Sequence, residues 1–255
     1  VTLSLYDGDD VTVTETAQRA LKEDEKLSLE IDGGKLTVRW NSAWLNLGVS
    51  GGDSKRLEVQ VPRALAGDLS RISVYTASGT LQTADFAARE ISLKTVSGGI
   101  EASNLSAGRL ALNSTSGTIR GEGLEGTERL EAGNVSGKTA LAGVRAGTLK
   151  ISSTSGTIEA EGAAASADCG SVSGAVSLTM QTWAEETAIS TVSGGVTLRG
   201  PETEAGFTCR YSTVSGDMTC GFNVKQSGSE YIAGKGEAAV SITTTSGDAE
   251  LGPIQ

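Results

Sequence analysis

Apolar and polar residues alternate two by two through most of this chain, and the alternation keeps returning in the same phase. Ile91, Leu93 and Thr95 are spaced in twos, as are Leu110, Leu112 and Ser114, then Leu149, Ile151 and Ser153, and near the end Val240, Ile242 and Thr244. Period two marks a strand with one buried face. Each run closes on a Ser-Gly pair, with serines at 78, 97, 116, 136, 155, 173, 193, 215 and 246. The steps between them are 19, 19, 20, 19, 18, 20, 22 and 31. Past the glycine the phase slips by one residue, because Ile100, Ile119, Ile158, Val176, Val196 and Met218 sit three positions after their serine. A slip of one throws later side chains to the wrong face unless the chain turns there. Glycine permits such a turn because it accepts positive φ at little cost. The Ser-Gly pair therefore predicts a corner between two short strands, with a second turn near Asn104-Leu105, Gly123-Leu124 and Gly143-Val144.

A repeat of this length is one supersecondary unit that buries its apolar face by stacking on its neighbours. The predicted fold is all-β, a single-stranded parallel β-helix or β-solenoid with Ser-Gly coils of about 19–20 residues. The serines and the hydroxyls preceding them are expected to point inward in columns about 4.8 Å apart, bonded to one another and to corner backbone. Gly117 and Gly156 are expected to have a backbone geometry that disfavours a Cβ.

The ends depart from the repeat. Residues 1–56 lack Ser-Gly yet still alternate, and "LSLEIDGGKLTVRW" carries a hairpin signal around Gly33-Gly34. This region is expected to be an N-terminal β cap or irregular first coils, with regular coils over 57–255 in a single domain. The step of 31 holds extra residues near 221–236, expected to loop out before "AAVSITTTSGDAEL" completes the last coil. Val1 opens directly on strand-like alternation, which is read as the start of a trimmed mature fragment.

The "TVSG" and "STSG" coils at 95–98, 114–117, 153–156, 191–194 and 213–216, the "RLEVQVP" stretch at 56–62 and the closing "TTSGD" at 244–248 carry a resemblance. The chain resembles the bacterial putative-adhesin β-strand-repeat family, a domain of unknown function found mainly in surface-associated or membrane-anchored proteins. The resemblance implies a right-handed solenoid and supplies no catalytic residue.

Composition narrows the chemistry. Aromatic residues make up 4% of the 255 residues against 34 glycines, which suits a narrow interior whose walls come close. A net charge of −10 argues against nucleic acid or an anionic membrane as partner. The mixed run "KEDEK" at 22–26 reads as a solvated turn or short helix, and no apolar run reaches the ~20 residues of a membrane span. There is no histidine, which removes Ser-His and Cys-His pairs and the commonest metal ligand. Carboxylate chemistry would have to come from Asp217 and Asp248, from Glu159 and Glu161, or from Glu185 and Glu186, and no spacing makes them converge. "YDGDD" at Tyr6 to Asp10 reads as an acidic turn, with calcium as the alternative. Cys169, Cys209 and Cys220 read as small core residues, with a Cys209–Cys220 bridge as the alternative.

The functional expectation is a non-enzymatic, cell-envelope-associated scaffold or binding module, without cofactor, meeting a protein or glycan at the cell surface and anchored through a segment outside this chain. The alternatives are a polysaccharide-active β-helix enzyme and a sensory ectodomain of a membrane signalling system. Because hot spots favour aromatic anchors, the candidate binding residues are Trp44, Trp183, Phe222 and Tyr231. Trp40 shares the phase of Leu36 and Val38 and is assigned to the cap's core.

Overall fold

The computed structural model describes residues 1–39 and 55–254, so Trp40 and Trp44 lie outside the described residues. The chain divides into two compact units, Val1–Arg63 and Ala64–Gln255. The first holds β1 (Thr2–Tyr6), β2 (Thr12–Ala17), β3 (Ser28–Asp32), β4 (Lys35–Arg39) and β5 (Lys55–Pro62); β2 alternates between exposed and half-buried residues, whereas every residue of β3 is exposed. β5 runs parallel to β1 and antiparallel to β2. The β3–β4 hairpin closes through Gly33 and Gly34, both at positive φ (54° and 78°), as a two-residue loop between right-twisted strands requires. A short 3-10 turn, Glu23–Glu25, falls within the charged run. It is not wholly solvated. Glu25 is buried, and its two carboxylate oxygens each accept a 2.8 Å hydrogen bond from Arg19. Those bonds and one from the Lys22 backbone N–H hold the Glu25 carboxyl down to about 2.

The second unit is a parallel β-solenoid. Its strands are β6 (Leu69–Ser78), β7 (Leu81–Ala84), β8 (Ala87–Ser97), β9 (Ile100–Ser103), β10 (Ser106–Ser114), β11 (Ile119–Glu122), β12 (Glu125–Asn134), β13 (Thr139–Ser153), β14 (Ile158–Ser171), β15 (Val176–Met180), β16 (Glu186–Thr191), β17 (Val196–Gly200), β18 (Phe207–Ser212), β19 (Met218–Cys220), β20 (Lys225–Ser227), β21 (Glu230–Ala233), β22 (Ala238–Thr244) and β23 (Ala249–Pro253). Each early coil is a longer strand, the Ser-Gly corner, a shorter strand and a second turn. β13 and β14 run on through that second turn, so each serves both faces. The ladders keep apolar side chains in register: Ile91 over Ile72, Leu110 over Ile91, Leu112 over Leu93. Leu112, Ile119, Leu124, Ile158, Leu178 and Ile242 are fully buried in the resulting core.

The corners do not work as the phase slip suggested. Among the Ser-Gly glycines, Gly98, Gly117, Gly156, Gly174, Gly194 and Gly247 lie outside the left-handed range. What they need is space. A Cβ on Gly117 would run into the carbonyl oxygen of Gly98, one on Gly156 into that of Gly137, and one on Gly174 into that of Gly156. The left-handed residues instead turn the second corner: Asp85 (φ 65°), Asn104 (51°), Gly123 (59°) and Gly143 (63°). Asp and Asn are the non-glycine types that tolerate this region best. The corner serines also differ from expectation, because Ser97, Ser116, Ser136, Ser155 and Ser173 are exposed. Their hydroxyls donate to carbonyls one coil back, as Ser116 does to Val96 (3.3 Å) and Ser155 to Val135 (3.2 Å). The inward hydroxyl stands two residues earlier, where Ser114, Ser153, Ser171 and Thr244 each accept the N–H of the corner glycine at 2.8–2.9 Å.

At the far end the coils leave chain order. β22 pairs in parallel with β16 on one side and β18 on the other, and β23 lies likewise between β17 and β19. The coil last in the chain is thus next to last in the stack, and β18/β19 is outermost. The glycine column agrees, since Gly247 sits on Gly194 and Gly216 sits on Gly247. The residues expected to loop out form the β20–β21 hairpin, which lies antiparallel on β18 and carries the chain back. It also covers β18's outer edge, which would otherwise invite pairing.

Candidate functional site

The inward side chains of the coils are buried against one another, and what the solenoid offers a partner is its outer surface. Much of that surface neutralises itself. Arg71 pairs with Glu90 (2.6 Å), Arg109 with Glu128 (3.0 Å), Lys138 with Glu159 (2.6 Å) and Lys150 with Asp168 (3.1 Å), each reaching the neighbouring coil. Such exposed pairs contribute little stability, about 0–1 kcal/mol each.

One row is different. The residue between the inward hydroxyl and the corner serine points outward in every coil. In stack order it reads Ala77, Val96, Thr115, Val135, Thr154, Val172, Val192, Thr245 and Val214, all exposed. Backbone bonds from Ser116 N to Val96 O, Ser155 N to Val135 O and Ser246 N to Val192 O hold the row straight. Val96, Val135, Val172 and Val192 are 40–49% exposed, and Val214 in the outermost coil is 84% exposed. Most of the large exposed hydrophobics of this unit's described residues therefore lie on one ridge, with a rise of about 4.8 Å per step. Beside it Ser97, Ser116, Ser136, Ser155, Ser173 and Ser246 donate their hydroxyls to protein carbonyls, and the ridge itself presents methyl groups and threonine hydroxyls without charge. The aromatic signal that picks out Trp44, Trp183, Phe222 and Tyr231 misses these outward valines. The alternating Val and Thr inside "TVSG" and "STSG" was the signal that could have found them.

The aromatic candidates fall elsewhere. Trp183 and Phe222 are brought together around Phe207, with ring centroids 4.7 Å (Trp183–Phe207), 5.0 Å (Phe207–Phe222) and 6.0 Å (Trp183–Phe222) apart. Phe222 is buried, and the Trp183 indole N–H donates to Pro201 O at 2.9 Å. Tilted and edge-on rings packed this way add about 0.5–1.5 kcal/mol per pair beyond burial. Tyr231 stands apart on the β20–β21 hairpin, half-buried, accepting a 3.1 Å bond from the Gln226 amide.

Of the acidic candidates, Asp217 and Asp248 are brought onto adjacent coils by the out-of-order stacking, and the Asp217 N–H donates to Asp248 Oδ1 at 2.9 Å. Glu159 is taken up by Lys138, while Glu161 accepts from Gln181 at 3.3 Å. In the Tyr6–Asp10 turn, Asp7 pairs at 3.4 Å with Arg63. No group of three or more metal-ligating side chains converges among the described residues.

Each cysteine takes the inward register its spacing predicts: Cys169 over Ile151, Cys209 beside Val240, Cys220 beside Leu251. All three are free thiols. Burial pushes Cys169 and Cys209 up to about 12. Cys220 departs from the expected core position, because it lies in the outermost coil and is only half-buried, and burial there too pushes its thiol up. No helix of the described residues is long and apolar enough to cross a membrane.

Two stacked parallel ladders, a glycine column at one corner and left-handed residues at the other define a β-solenoid repeat protein. The chain belongs to the Toastrack DUF4097 family, whose model matches residues 1–164 and again 127–251. A solved structure described as a "putative cell adhesion protein" from Clostridium sporogenes is similar over 99% of this chain and 88% of that one, at 10% identity and a TM-score of 0.31. No curated protein matches the chain.

Proposed function

We propose that the protein is a non-enzymatic binding scaffold of the cell envelope, and that its solenoid meets an extended partner, protein or glycan, along the Val/Thr ridge. The observation that carries this reading is the ridge itself: an uncharged row running the length of a surface that elsewhere carries coil-to-coil ion pairs. A repeat array suits a partner that is itself extended and repetitive. The placement in the envelope rests on the family resemblance of the coil motifs.

The test is the triple variant Val135→Lys, Val172→Lys and Val192→Lys. Exposed substitutions of this kind change stability by about 0.5 kcal/mol or less each. The labelled wild-type protein is applied to purified peptidoglycan, immobilised surface polysaccharides and whole bacterial cells. Retention should fall at least tenfold in the variant while its melting curve is kept. Equal retention by wild type and variant, or release of soluble sugar from any of the polysaccharides, overturns the reading.

A further inference from the structure

The coil formed by β22 and β23 occupies a slot whose two walls belong to other parts of the chain. β16/β17 forms one wall and β18/β19 the other, and every ladder the slot offers is parallel. Val240, Ile242 and Leu251 fill its apolar interior, and Gly247 completes the corner column. Three of the four wall strands have partners of their own on their far sides. β16 and β17 lie on β14 and β15, and β18 carries β21. Emptying the slot therefore leaves β16, β17 and β18 paired and takes from β19 its ladder with β23. The connection into the slot is a tight turn with two left-handed glycines, Gly234 (φ 57°) and Gly236 (φ 74°). It is laid along the preceding loop by bonds from Lys235 N to Glu204 O (2.9 Å) and from Glu237 N to Ala205 O (3.0 Å). Residues that absorb a large φ/ψ change at the end of an element are what a hinge needs.

We propose that residues 238–253 are an exchangeable coil, and that the slot accepts the same segment from a second copy of this chain, joining two copies reciprocally. An emptied slot presents two parallel strand edges and an apolar floor. It fits a segment with the right alternation, phase slip and glycine corner, all of which the second copy's own coil carries. Exchange preserves every contact of the coil itself, so the balance between closed monomer and exchanged dimer is set by hinge strain and protein concentration. This proposal does not rest on the binding role of the ridge.

The experiment uses two full-length chains that differ in tag, one carrying Ser190→Cys and the other Thr243→Cys, both in a Cys220→Ser background. Ser190 and Thr243 are exposed ladder partners across the slot, so their Cα atoms stand about 4.8 Å apart, within disulfide range. The same pair placed in one chain closes internally and establishes the geometry. Co-refolding the two chains at rising concentration should give a mixed species of doubled mass, captured by both tags, that survives dilution and becomes disulfide-linked on oxidation. Briefly mixing the folded proteins should give none. Monomers alone after co-refolding at every concentration overturn the proposal. So does a dimer that dilution dissolves and oxidation leaves unlinked, the behaviour of a contact through the ridge.

Discussion

From β6 to β17 each coil rests on the one made just before it, whereas from β18 onward the chain makes an outer coil first and fills the space beneath it afterwards. The local chemistry on both sides of that divide is the same. Thr244 accepts the N–H of Gly247 as Ser153 accepts that of Gly156, and Gly247 stacks on Gly194 as Gly156 stacks on Gly137. The difference teaches that the repeat specifies what can stack, not what must stack on what. It also separates two modes of assembly. In-order coils add to a neighbour about 19 residues away in the chain. The returned coil joins β22 to β16 across a separation of about fifty residues, and non-local pairing of this kind slows folding.

The largest effect that tests this contrast is loss of core volume. Leu112 and Ile242 are both fully buried, one among in-order coils and the other in the returned coil. Replacing either by alanine should cost about 2–5 kcal/mol. The two variants should differ in where protection is lost. Leu112→Ala should weaken the whole array, while Ile242→Ala should let the amides of 207–253 exchange with solvent well before those of 91–153. Uniform loss of protection in both would erase the distinction between the regions.

Next comes the glycine column. Because the clash at each corner is with backbone, Gly156→Ala and Gly247→Ala should each cost about 1–3 kcal/mol in a denaturant melt. Gly216→Ala should cost less, since the outermost coil can shift outward to make room. If Gly247 behaved as the weak member and Gly216 as the strong one, the stack would follow chain order and the returned coil would be wrong.

The smallest effect is chemical. A thiol reagent should modify Cys220 first and leave Cys169 and Cys209 unreacted in the native protein, because burial holds both at about 12. Labelling of Cys169 as fast as Cys220 would mean that the in-order coils open as readily as the far end.

Much of this was legible in the residues. The period of 19 to 20, the inward register of Ile91, Leu112, Cys169 and Cys209, the slip after Ser-Gly and the second turn at Asn104 and Gly123 all follow from alternation alone, because a strand has only two faces. The hairpin at Gly33-Gly34 was equally plain, since few residues allow that turn. The outward row was present in "TVSG" and "STSG" but carries no aromatic residue, whereas the aromatic Trp183 and Phe222 pack their rings around Phe207.

What the residues could determine by themselves was the coil: its length, its inward side and its two corners, all set by local sterics and period two. The reason for the corner glycine was not local, because it lies in the carbonyl of the coil beneath. Nor was the order of the stack, since any two coils with the same alternation make the same parallel ladder. That choice was decided in three dimensions. The coil bearing Phe207, Tyr211 and Phe222 lies outermost, under the β20–β21 hairpin and against Trp183. The slimmer coil of Ala238, Val240 and Ile242 fits between two neighbours, where buried volume must match on both sides.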